Sequence, residues 1–173
     1  MATAGVSTTR ILGVDPGLVI TGYGVIQIPR NFLLGRSEID LLEAGVIRTQ
    51  RSAGIAQRLA KIYDALSEVV SELKPDVLAI EKLYAHYKHP ATAILMGHAR
   101  GVVCLLSGVK RVPLVNVAST HVKKSVTGQG HAGKAQIQRM VQHYLGLKNI
   151  PEPPDVADAL AAAISYACGP RRG

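Results

Sequence analysis

The chain has 173 residues, with 20 Lys and Arg against 12 Asp and Glu, a formal net charge of +8. Hydrophobic residues make up 47% and charged residues 18%, enough to bury a core, so an intrinsically disordered chain is excluded and the length suits one domain of roughly 100–200 residues. No apolar run reaches the roughly 20 residues of a membrane span. The first ten residues lack the apolar segment of a signal peptide. Cys104 and Cys168 lie far apart in apolar sequence and read as small core residues of a reducing compartment. The expectation is a soluble cytoplasmic protein.

In chain order, residues 10–15 (Arg-Ile-Leu-Gly-Val-Asp) form an apolar run that stops at Pro16-Gly17, the pattern of a strand ending in a turn. Residues 21–28 read as the returning strand of a hairpin, 29–37 as a loop and 41–49 as a third strand. Over 52–73, Ile55, Leu59, Ile62, Leu66, Val69, Val70 and Leu73 recur at spacings of three and four, which predicts an amphipathic helix. Lys74-Pro75 ends it. Residues 77–81 (Val-Leu-Ala-Ile-Glu) have the continuous apolar character of a strand buried in a parallel sheet. A second helix is expected over 91–106 and a fifth strand over 112–117. Helices follow over 119–127 and 134–145, and an Ala-rich one runs from Pro153-Pro154 to about 167. This succession predicts an α/β fold, a mixed five-stranded sheet flanked by helices. It forms a single domain over 1–173, with 1–9 and 169–173 as flexible ends.

Charge is unevenly spread. Up to residue 81 there are eight bases and nine acids; over 82–151 there are ten bases and no acid; beyond lie two bases and three acids. All six histidines fall in the middle stretch. Such a segment suits a surface that neutralises phosphates. A lysine-decorated half with no partner has the same composition.

Four acids stand at special places. Asp15 and Glu81 each end a predicted strand, where ligands collect in α/β sheets. Asp155 and Asp158 are three apart at the start of the last helix, so they share a face that is otherwise apolar. Each has a plain structural reading taken alone: a turn residue, a loop cap, helix N-terminal acids. Together, four converging carboxylates would repel one another unless cations intervene. Oxygen-only ligands suit Mg²⁺ or Mn²⁺, and a pair of such ions is a standard device for phosphodiester displacement.

Five motifs occur in order over 10–167: Ile11-Leu12-Gly13-Val14-Asp15-Pro16-Gly17, Thr21-Gly22-Tyr23-Gly24-Val25, Ala79-Ile80-Glu81, Gly97-His98-Ala99-Arg100-Gly101 and Asp155-Val156-Ala157-Asp158-Ala159-Leu160-Ala161. As an ordered set they resemble the RuvC family, the bacterial Holliday-junction resolvases. The resemblance implies a ribonuclease-H-like fold and an endonuclease that resolves four-way DNA junctions by paired symmetric nicks, leaving 5′-phosphate and 3′-hydroxyl ends. It implies two Mg²⁺ ions, with Mn²⁺ a substitute, on Asp15, Glu81, Asp155 and Asp158. Lys123 and Lys134 would lie near the scissile phosphate, and Tyr84 would stack on an unpaired base. Lys124 and Arg100 are further DNA-binding candidates. Two symmetric nicks require two sites on a two-fold axis, hence a homodimer, for which the 91–106 helix offers an apolar face. The family also implies a RuvA–RuvB branch-migration partner. Alternatives are a YqgF-type nuclease of the same fold, a nucleotide-binding module of the sugar-kinase type, and an inactive junction-binding protein. The connection over 29–40 is longer than the family pattern, and the last helix has no histidine near Asp158.

Overall fold

The computed structural model describes residues 7–35, 38–82 and 90–169. Three strands, β1 (Thr8–Asp15), β2 (Ile20–Pro29) and β3 (Asp40–Arg48), run antiparallel in succession. They are followed by α1 (Ile55–Leu73), β4 (Val77–Glu81), α2 (Pro90–Lys110), β5 (Leu114–Val117), α3 (Ser119–Thr127), α4 (Lys134–Tyr144) and α5 (Pro154–Cys168). The sheet order is β3-β2-β1-β4-β5, with β4 parallel to both β1 and β5. This is the mixed five-stranded α/β sheet expected from the sequence.

Each face of the sheet carries its own core. On one side Leu12, Val14, Leu78 and Ile80 pack with Ile62 and Leu66 of α1 and Val103 and Leu106 of α2. On the other, Ile11, Ile26, Val77 and Ala79 pack with Leu160 and Ile164 of α5 and with Val122, Val126, Ile137 and Val141 of α3 and α4. The alternation of apolar residues along β1 and β4 feeds both cores, as a strand covered on two faces requires. Helix α1 stops where Lys74 adopts a left-handed conformation, φ 46°, with its N–H donating to the Val70 carbonyl, immediately before Pro75.

Several boundaries differ from expectation. β1 takes in Thr8 and Thr9, which pair with Pro29 and Ile28, so the sheet reaches into the segment expected to be a flexible end. Helix α2 continues four residues past 106 to Lys110 and stops where Arg111 adopts a left-handed conformation, φ 56°; Ser107 Oγ donates to the Val112 carbonyl as the chain leaves the helix. At its full length α2 meets the length and hydropathy of a membrane span, with a mean hydropathy of 1.5 over Ala91–Lys110, which the sequence reading did not anticipate. Ala99, Val102, Val103 and Leu106 anchor it to the sheet, while Ile94, Leu105 and Val109 are 61%, 59% and 57% exposed on one stripe. Cys104 is exposed on this helix and Cys168 is half-buried, so Cys104 is not the core residue expected; both are free thiols.

Candidate active site

β1 and β4 lie side by side, with Val14 paired to Ile80, and the next residue on each is an acid, Asp15 and Glu81. Side chains alternate between faces along a strand. Asp15 is in step with Ile11, and Glu81 with Val77 and Ala79, so both acids turn toward the α5 side. The turn after Asp15 is tied down locally: Thr21 Oγ1 donates to the Gly17 carbonyl at 2.7 Å, and Arg58 Nη2 to the Leu18 carbonyl at 3.0 Å.

Helix α5 crosses this face at backbone contact. A Cβ placed on Gly13 would stand 2.0 Å from the Ala159 carbonyl oxygen, one on Gly22 2.0 Å from that of Asp155, and one on Gly24 2.4 Å from Leu160 Cδ2. Gly22 is the cross-strand partner of Asp15. The missing side chains of β1 and β2, with the small Ala159 and Ala163 above them, seat the first turns of α5 against the end of β1. Asp155 and Asp158 are thereby brought beside Asp15. The Asp15 carboxyl is pushed up from 3.8 to about 7, first by burial and then by Asp158, Asp155 and Glu81; Lys134 opposes the rise.

Lys134 opens α4, and its Nζ lies 3.3 Å from Asp158 Oδ2. Asp158, through its charge and this hydrogen bond, holds the ammonium above its ordinary pKa. A lysine at a helix N-terminus opposes the macrodipole, and α4 has no acid in its first turn; the placement makes sense only through the carboxylates it faces. Glu81, Asp158, Lys123, Lys134, Ser119 and Gly133 line one cleft of about 320 Å³. Two helices begin at its wall, α3 after Ala118 and α4 after Gly133, neither with a side-chain cap. Their first N–H groups are therefore available to an anion.

Of the residues singled out in the sequence, the four acids adjoin one another, and Lys123 and Lys134 share the cleft with Glu81 and Asp158. Lys124 is exposed, next along α3. Arg100 turns to protein acceptors: its Nη1 donates to the Glu81 carbonyl at 2.6 Å and its Nη2 to Asn116 Oδ1. Tyr84 lies outside the described residues. Sequence reasoning missed Gly22 and Asn116. The Gly22-Tyr23-Gly24 alternation, which leaves one strand face bare, was the available signal for the first.

The donor set is carboxylate oxygen throughout, and burial together with three neighbouring acids lifts the pKa of Asp15. That chemistry fits hard divalent cations. The acids lie adjacent rather than closed on one point: among the described residues no three such groups form a ready ligand set. Glu81 is exposed and Lys134 engages Asp158.

The strand order and the carboxylates at the ends of β1 and β4 and the start of α5 define a nuclease domain of the ribonuclease-H-like class. The family described as crossover junction endodeoxyribonuclease RuvC matches residues 11–166. The chain belongs to the RuvC family, and is a nuclease of the hydrolase class, with the divalent-metal dependence that family membership implies. It is 47% identical over 165 residues to the crossover junction endodeoxyribonuclease RuvC of Rhodopirellula baltica, covering 94% of this chain and 86% of that one. The structure of Thermus thermophilus RuvC superposes with a TM-score of 0.83 at 31% identity, over 92% of this chain and 94% of that one. T. thermophilus RuvC in complex with a Holliday junction substrate gives 0.83 at 30% identity, over 92% and 95%.

Proposed function

We propose that this protein resolves four-way DNA junctions by paired symmetric nicks in recombination and repair, working in the cytoplasm as a single-domain subunit of a homodimer. The observation that carries the reading is the cleft in which Glu81 and Asp158 face Lys123 and Lys134, with Asp15 and Asp155 beside them. The likeness to a relative solved with a Holliday junction supports the substrate.

Asp15, Glu81, Asp155 and Asp158 would hold two Mg²⁺ ions, or Mn²⁺ as a substitute. When bound, these supply the Lewis acidity that activates water and stabilises the departing 3′-oxygen, leaving a 5′-phosphate. The protein's own share is charge and placement. Lys134 neutralises Asp158 while the cleft is free of DNA and turns to a phosphate oxygen when the backbone enters. Lys123 and the uncapped starts of α3 and α4 neutralise the same strand along the cleft. Lys124 extends this basic surface along α3, and Tyr84 stacks on a base exposed at the crossover. The exposed stripe of Ile94, Leu105 and Val109 on α2 is the dimer surface, burying against a second copy the apolar area that one subunit leaves open. A RuvA–RuvB complex is the partner the family likeness implies.

The test is cleavage of a synthetic mobile four-way junction in Mg²⁺, with cuts mapped on each strand and a linear duplex of the same sequence as control. Paired, symmetric cuts restricted to the junction are expected. Equal nicking of the duplex would overturn the reading.

A further inference from the structure

A charged side chain that does not line the cleft, that of Arg100, is bonded to the Glu81 peptide. Glu81 is the last paired residue of β4, opposite Val117 of β5. The Lys82 N–H donates to the Val117 carbonyl at 2.7 Å. Beyond Val117 the β5 chain turns away into α3, which starts at Ser119. At this point the Glu81 carbonyl accepts its hydrogen bond from a side chain of another element: Arg100 Nη1, reaching across from α2 at 2.6 Å. The other arm of the same guanidinium donates to Asn116 Oδ1, and Asn116 is the β5 partner of Ile80. One planar fork therefore fastens the ends of two strands to α2, and the rigid, planar donor set of a guanidinium suits it to hold two acceptors at once.

We propose that Arg100 is the positioning residue of Glu81. It fixes the peptide that carries this carboxylate, and so holds Glu81 in the orientation from which it joins Asp15 and Asp158. Asn116 is the anchor that keeps the guanidinium plane in register. Arg100 acts through Glu81 and does not touch DNA. The inference rests on the proposed role of Glu81 as a metal ligand. Removing a group that orients a metal ligand typically costs about 10–100-fold in metal affinity or activity.

The test uses the full-length protein and Mn²⁺ as probe, titrated by calorimetry and by the loss of the free-ion EPR signal, beside junction binding measured in EDTA. Arg100→Ala should weaken Mn²⁺ binding about tenfold while leaving junction affinity in EDTA and its salt dependence unchanged. Arg100→Lys, with its charge kept but one point donor in place of the fork, should recover only part of the loss. In a Glu81→Gln background Arg100→Ala should add little, because the group it positions is already disabled. If Arg100→Ala does not fold, Asn116→Ala removes only the anchor and should weaken Mn²⁺ binding in the same direction by a smaller factor. Unchanged Mn²⁺ affinity with weaker junction binding, and a salt slope shallower by about one, would make Arg100 a phosphate contact and overturn the proposal. If Glu81→Gln itself leaves Mn²⁺ binding intact, the metal role of Glu81 fails first. If Glu81→Gln weakens binding and neither Arg100→Ala nor Asn116→Ala does, the positioning role alone fails.

Discussion

Replacing Asp15 by Asn removes a charge that the fold itself disfavours. In the native protein this carboxyl titrates at about 7 instead of 3.8, because burial and the three other acids oppose its ionisation. The folded state thus keeps a proton that the unfolded chain has already released. Between pH 4 and 7 the native state binds more protons than the unfolded one, so stability falls as pH rises through this window, and the full penalty is present above about pH 7. The size of the displacement sets an upper bound of about 4 kcal/mol, which solvent reaching the partly open site reduces. For a chain of this length about 1 kcal/mol moves the melting temperature by roughly 2–4 °C. Asp15→Asn should therefore melt several degrees above wild type at pH 8 in EDTA, with the gap closing toward pH 4. Saturating Mg²⁺ should narrow the gap at pH 8, since binding to the native state stabilises the wild type preferentially. The same variant should bind junction DNA and fail to cut it. Equal melting temperatures at pH 8 in chelator, or a gap independent of pH, would refute the electrostatic account of the site.

Gly22→Ala should shift α5 away from β1, lower stability by about 1–3 kcal/mol and suppress cleavage. Gly108→Ala, on an exposed turn of α2 with nothing within 4 Å of the new Cβ, should instead be neutral or stabilise by about 0.5–1 kcal/mol; denaturant unfolding of both compares them. Lys134→Ala should slow cleavage and reduce the salt slope of junction binding by about one, as followed by fluorescence anisotropy over a salt series. Ile94→Asp or Leu105→Asp should convert the dimer to a monomer in light scattering, with the far-UV spectrum kept and paired cutting lost; a dimer that persists would move the interface off α2.

The acids were legible in the sequence because strand ends and helix starts are marked by strong local signals. Asp15 precedes Pro16-Gly17, Glu81 follows four apolar residues, and Asp155 and Asp158 stand three apart after Pro153-Pro154. The sheet was legible for the same reason, since the change from alternating to helical periodicity falls close to each true boundary. What escaped depends on which element crosses which. Gly22 reads as an ordinary strand glycine until α5 is laid upon it. Helix α2 reads equally as core or as a face for a second subunit, because the composition of an apolar stripe is the same whether the protein's own sheet or another surface covers it. Arg100 sits in a basic stretch and so read as a DNA contact; its direction is set by where β4 and β5 end, which local pattern does not encode.

The two faces of the sheet differ in how much sequence change they can absorb. On the α1 and α2 side, branched aliphatic chains interdigitate, and exchanges that conserve volume can be met by rotamer changes in their neighbours. On the α5 side, at Gly13 and Gly22, contact is backbone to backbone, and no rotamer exists that could move aside for one added methyl. A drifting lineage can therefore rewrite the first core piecemeal. At Gly13 and Gly22 it has almost no single-step neighbours to visit, so the spacing that gathers the acids is guarded by atoms the protein lacks.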